Sequence, residues 1–104
     1  IISPDKPHEI TPQLIIEVVS EHFNITIDQI MSKTRSNDIA KPRQIAMYLC
    51  KNLTNQPLDT IGQLLGGRDH STIIHGIKKI TEEYKTNETL RNTVDTIKKK
   101  INPN

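Results

Sequence analysis

The stretch Gly66-Gly67-Arg68-Asp69-His70-Ser71-Thr72-Ile73-Ile74-His75-Gly76-Ile77-Lys78-Lys79-Ile80 decides how the rest of the chain is read. Paired glycines can take the positive φ that ends one helix, and Asp69 suits the N-cap of the next. From there Ile73, Ile77, Ile80 and Tyr84 recur at helical spacing. At about 100° per residue they fall in one narrow sector, whereas Arg68, Ser71, Thr72, His75, Lys78 and Lys79 spread over the opposite side. Such a helix buries one side and offers donors and cations on the other, a form suited to a nucleic-acid groove. The same pattern describes a solvated helix packed on a core, so the stretch alone leaves both readings open.

Working upstream, Leu58, Ile61, Leu64 and Leu65 mark a short helix after the turn Asn55-Gln56-Pro57. Two short-coupled helices thus flank the glycine turn, the sequence form of a helix-turn-helix. Ahead of them, Ile45, Tyr48, Leu49 and Leu53 give another helix a buried side, with Ala46 and Cys50 as small fillers and Pro42 in its first turn. Arg43, Gln44, Met47 and Lys51 fall nearer its other side. Residues 32–41 show no apolar period and read as a basic loop, in which Lys33 and Arg35 sit beside Ser36 and Asn37, groups suited to phosphate.

At the near end, Thr11 and Pro12 open a helix striped by Leu14, Ile15, Val18, Val19 and His22 or Phe23. Thr26-Ile27-Asp28-Gln29 has the form of a capping box on a short helix. At the far end Asn87 opens a helix striped by Leu90, Val94, Ile97 and Ile101, and Lys98, Lys99 and Lys100 in its last turn complement the helix dipole. With no β-alternation anywhere, the expected fold is all-α with six helices, two of them short. Residues 1–10, with Pro4 and Pro7 among charges, read as a linker from a preceding domain, and residues 11–104 as one helix-turn-helix domain.

Composition narrows the function. The 104 residues suit one domain, and 34% hydrophobic content with three aromatics calls for a core of Ile, Leu and Val. A lone cysteine excludes an internal disulfide framework and a cysteine-rich zinc site. No apolar run approaches ~18 residues and no signal-peptide pattern is present, so a cytoplasmic location is the default expectation. The net charge of +2 hides a segregation: residues 1–32 carry a net −4 and residues 33–51 a net +4, which argues for a polyanion-facing side.

Chemistry is disfavoured by spacing. His70 and His75 stand ~140° apart on a helix, unlike the i, i+4 pair that shares a metal ion. Ser71 lacks a glycine elbow and an oxyanion site, and Gly66-Gly67-Arg68 is not a phosphate-binding loop. No catalytic residue, metal ligand or cofactor is therefore expected in this chain, and Cys50 is assigned to packing.

Together, Gly66-Gly67-Arg68-Asp69-His70-Ser71-Thr72 and Ala40-Lys41-Pro42-Arg43-Gln44-Ile45-Ala46-Met47-Tyr48-Leu49 closely resemble the C-terminal DNA-binding domain of bacterial chromosomal replication initiators, the DnaA family. The resemblance runs from about residue 10 to 101. It implies an all-helical domain with a Trp-repressor-like helix-turn-helix and a basic loop, binding double-stranded DNA at origin sites called DnaA boxes. It implies base reading by Asp69, His70, Ser71 and Thr72 in the major groove and by Arg35 in the minor groove, where A·T-rich width favours a cation. Arg43, Gln44 and Lys51 match backbone-facing positions, and Arg68, Lys33, His75 and Lys78 join them as phosphate-binding candidates. ATP is expected only in a preceding domain, and other copies of the full-length initiator are expected partners on origin DNA. Two departures stand out: Thr34 where many members carry a second basic residue, and Ser71 without a threonine's methyl. Other classes also suit the pattern, namely a protein- or acidic-phospholipid-interaction module using residues 11–23, or a dimeric repressor-like regulator. The −4 balance of residues 1–32 disfavours an anionic membrane, and no exposed apolar face for a dimer is legible, so the domain is expected to be monomeric.

Overall fold

The computed structural model describes residues 9–103. The expected linker lies outside them except for Glu9 and Ile10, and Ile10 already packs against the core. Six helices follow: α1 Pro12–Phe23, α2 Ile27–Met31, α3 Asn37–Leu53, α4 Leu58–Leu64, α5 His70–Thr86 and α6 Glu88–Ile101, with no strand among the described residues.

Local chemistry sets most helix starts. Thr11, Asp69 and Asn87 each accept a backbone N–H from three residues on, and Pro12 occupies the first turn of α1, where its missing N–H costs nothing. Thr26 and Gln29 close the reciprocal capping box. α1 ends on Asn24 in the left-handed region at φ 55°, a stop that asparagine tolerates better than most residues.

The third helix departs from expectation. It starts at Asn37, so the basic loop shrinks to residues 32–36 and Pro42 lies well inside the helix. Burial accounts for this: Ile39 and Pro42 are both buried, and Pro42 shares a shallow groove with Phe23 and Ile25, so tertiary packing recruits a segment that lacks a local apolar period. Lys41, read as loop, instead pairs with Glu83 across the α3–α5 contact, Nζ to Oε1 2.6 Å. Met47, placed on the polar side, is only 2% exposed. α3 is the central helix, contacted by α1, α2, α4 and α5, so it has apolar neighbours on more than one side.

The core joins Ile15, Ile16 and Val19 of α1 to Ile45 and Leu49 of α3, Ile61 and Leu65 at α4, Ile73 and Ile80 of α5, and Val94, Ile97 and Ile101 of α6. Each such aliphatic side chain contributes about 1.5–3 kcal/mol on burial. The apolar side of α1 is spent on this core, α6 covers α1 and α5, and Cys50 is buried, its thiol pushed up to about 12 by desolvation and therefore inert. Tyr84 links the layers: it stacks on Tyr48 at 6.2 Å, and its hydroxyl donates to Asp95 at 2.8 Å.

Candidate nucleic-acid interface

The glycine turn is built around one carbonyl. Gly62 of α4 accepts N–H bonds from Leu65, Gly67 and Arg68 at 3.2, 3.0 and 2.9 Å, which folds the chain back tightly after α4. Gly66 and Gly67 take φ of 93° and 76°, as expected of this turn. A Cβ on Gly66 would also stand 2.3 Å from the Met31 carbonyl oxygen. Asp69 then caps α5, its Oδ1 accepting from Thr72 N at 2.8 Å. Hydrogen bonds from Thr72 hold the Asp69 carboxyl below its ordinary range at this exposed position.

α5 buries Ile73, Gly76 and Ile80 and packs against α3 and α4, with Gly76 pressed against Met47 and Gln44 of α3 and Ile73 beside Gly62 of α4. Its uncovered surface has two sides. Thr72, His75 and Lys79 line an open groove of about 680 Å³ between α5 and the loop, together with Lys33 and Arg35 of the loop, Gln44 of α3, and Arg68. Ser71 and Lys78 are exposed outside that groove, on the side they share with Ile74, which is 45% exposed. Asp69 and His70 occupy the exposed N-terminal end of α5. Lys51 is exposed two helical turns beyond Gln44 on the same side of α3.

Five Lys or Arg residues and no Asp or Glu line the groove, counting described residues. Lys79 belongs to it: the helical angles put it on the polar side of α5, but it was not among the phosphate-binding candidates, and its step from His75, i to i+4, is the signal that places both on one side.

Arg43, a phosphate-backbone candidate, is turned inward. Expected to face a phosphate backbone, it is 6% exposed and its guanidinium is occupied: Nε donates to Ile30 O at 2.6 Å, Nη1 to Thr34 O at 2.9 Å, and Nη2 to Ser32 O at 2.8 Å and Gln29 O at 3.3 Å. Arg68 is also partly diverted. Half-buried, it donates to the carbonyls of Leu65, Met31 and Ser32. Burial lowers both guanidinium pKa values, and for Arg43 the neighbouring Arg68 charge adds to it. Among the described residues no carboxylate pairs with either arginine. Their acceptors are largely the C-terminal carbonyls of α2, where the helix dipole favours a cation. The two arginines therefore fix the loop that carries Lys33 and Arg35.

Residues 12–80 match the family model described as the bacterial dnaA protein helix-turn-helix. The chain belongs to this DnaA family. The matched span contains every residue lining the groove and stops short of α6. The chromosomal replication initiator protein DnaA of Lachnoclostridium phytofermentans is 52% identical over 103 residues, which cover 99% of this chain and 23% of that protein. The chain thus spans about a quarter of the length of that relative. A crystal structure described as a DNA replication initiation factor superposes with a TM-score of 0.77 at 29% identity, over 86% of this chain and 27% of that one.

Proposed function

We propose that this domain binds double-stranded DNA sequence-specifically at replication-origin DnaA boxes and so contributes to initiation of chromosomal replication. The N-terminal turn of α5 enters the major groove, where Asp69, His70, Ser71 and Thr72 meet base edges, while Arg35 reaches the adjacent minor groove. Lys33, Gln44, Lys51, Arg68, His75, Lys78 and the added Lys79 hold phosphates. The observation that carries this reading is the groove that gathers Lys33, Arg35, Arg68 and Lys79 with no carboxylate among its described lining residues, beside an exposed helix N-terminus. A relative named as a replication initiator supports the biological setting. The domain is a non-catalytic cytoplasmic module, monomeric on its own, and ATP binding and contacts between initiator copies belong to the longer protein. The membrane and dimer readings gain no support from exposed apolar surface: among the described residues the large exposed apolar side chains, Ile27 and Ile74, belong to different elements.

Two substitutions test the assignment of roles by equilibrium titration. His70→Ala should cost roughly 1–3 kcal/mol on an origin-type duplex and little on random duplex. Arg35→Ala should hurt most where the site is A·T-rich in the minor groove. Equal losses of His70→Ala on both DNAs, or an unchanged affinity for Arg35→Ala, would remove the respective residue from base reading.

A further inference from the structure

We infer that Asp59 is a positioning residue that selects the hydrogen-bonding face His70 turns toward a base, an inference that rests on the DNA-reading function proposed above. Asp59 lies in the first turn of α4 and His70 is the first residue of α5, so the fold brings two helix starts together. Asp59 Oδ1 stands 3.2 Å from His70 Nδ1, and the two side chains are 85% and 58% exposed respectively. The other carboxylate beside this ring, Asp69, is committed to its cap bond with Thr72 N.

An ionised carboxylate only accepts, so the ring nitrogen facing Asp59 carries the proton. The neutral ring then offers Nε2 outward as an acceptor. In the major groove an acceptor suits the amino groups of adenine N6 and cytosine N4, whereas guanine and thymine present acceptors of their own. Asp59 also sets a negative charge close to a polyanion site, which costs affinity unless the carboxylate has a use there. A favourable helix-dipole contact in the first turn of α4 would leave both the ring tautomer and the base preference untouched.

The test uses the 104-residue chain with two readouts. Nitrogen NMR of the free chain, above the pH range in which imidazole titrates, should show His70 protonated at Nδ1, and Asp59→Ala should move the proton to Nε2. Binding is then measured on duplexes varied one base pair at a time, and the position read by His70 is the one whose preference vanishes in His70→Ala. There the wild type should favour adenine or cytosine, and Asp59→Ala should lose about fivefold of that discrimination, the equivalent of one hydrogen bond, with other positions unchanged. A wild-type ring protonated at Nε2, or an Asp59→Ala chain whose preference is intact while all affinities rescale together, overturns the role. A wild type that binds every duplex alike removes the reading function and this role together.

Discussion

Gly62→Ala should lower the unfolding free energy by about 3 kcal/mol and Tm by roughly 12–24 °C. A Cβ at this position would lie 2.2 Å from the Arg68 carbonyl oxygen, and the obstacle is backbone, which cannot swing aside as a side chain can. Relief requires opening the turn whose three N–H groups converge on the Gly62 carbonyl. Opening it shifts the start of α5 relative to the groove, so DNA binding should fall with stability. Gly67→Ala is the control: nothing lies within 4 Å of its Cβ, and only its φ of 76° is strained, a cost of about 1–2 kcal/mol. Thermal melts of the two variants separate the effects; a Gly62→Ala chain that melts with the wild type would contradict the close approach.

Arg43→Ala should cost about 3 kcal/mol of stability because it removes a buried side chain and strips its donors from the buried Ile30 carbonyl and three partly buried ones around the loop. Its effect on DNA should be indirect. The four carbonyls on Arg43 hold residues 29–34, and without them Lys33 and Arg35 lose their fixed positions. The salt slope of binding should therefore fall by about 2 rather than the roughly 1 that one lost phosphate contact gives. Arg43→Lys should rescue little, because a lysine cannot present a planar fork to several acceptors at once. Hydrogen exchange of the 32–36 amides, read beside the salt slope, decides the matter. Native stability and protection with a slope change of about 1 would restore Arg43 to a direct phosphate contact.

These two residues also show where sequence reasoning ended. Caps are local chemistry, so Thr11, Thr26, Asp69 and Asn87 were legible and each stands at its helix start. The stripe of α6 was legible because that helix packs on one side only, and Leu90, Val94, Ile97 and Ile101 are all buried. α3 was harder. A central helix covered on several sides has no single stripe, which hid Met47, and a Pro inside it at position 42 looked like a helix start. Arg43 has the charge of a surface residue, and only the fold reveals that α2 ends over it. Gly62 carries no periodic signal, since its importance comes from a carbonyl six residues ahead that folding brings back to it.

The site was legible in its composition more than in its geometry. The segregated charge located the basic loop, and the structure brings Lys33 and Arg35 together with Thr72 and His75 across one groove. It leaves Lys51, Ser71 and Lys78 exposed outside that groove, a division that helical angles give only once the side of α5 facing the loop is known.

The most direct test of the proposed function is titration of this chain against a short A·T-rich origin-type duplex and a scrambled duplex of equal composition, at two salt concentrations. The origin duplex should bind about 10³-fold tighter or more, with both affinities falling steeply as salt rises. Equal affinities for the two duplexes at both salts would contradict sequence-specific recognition.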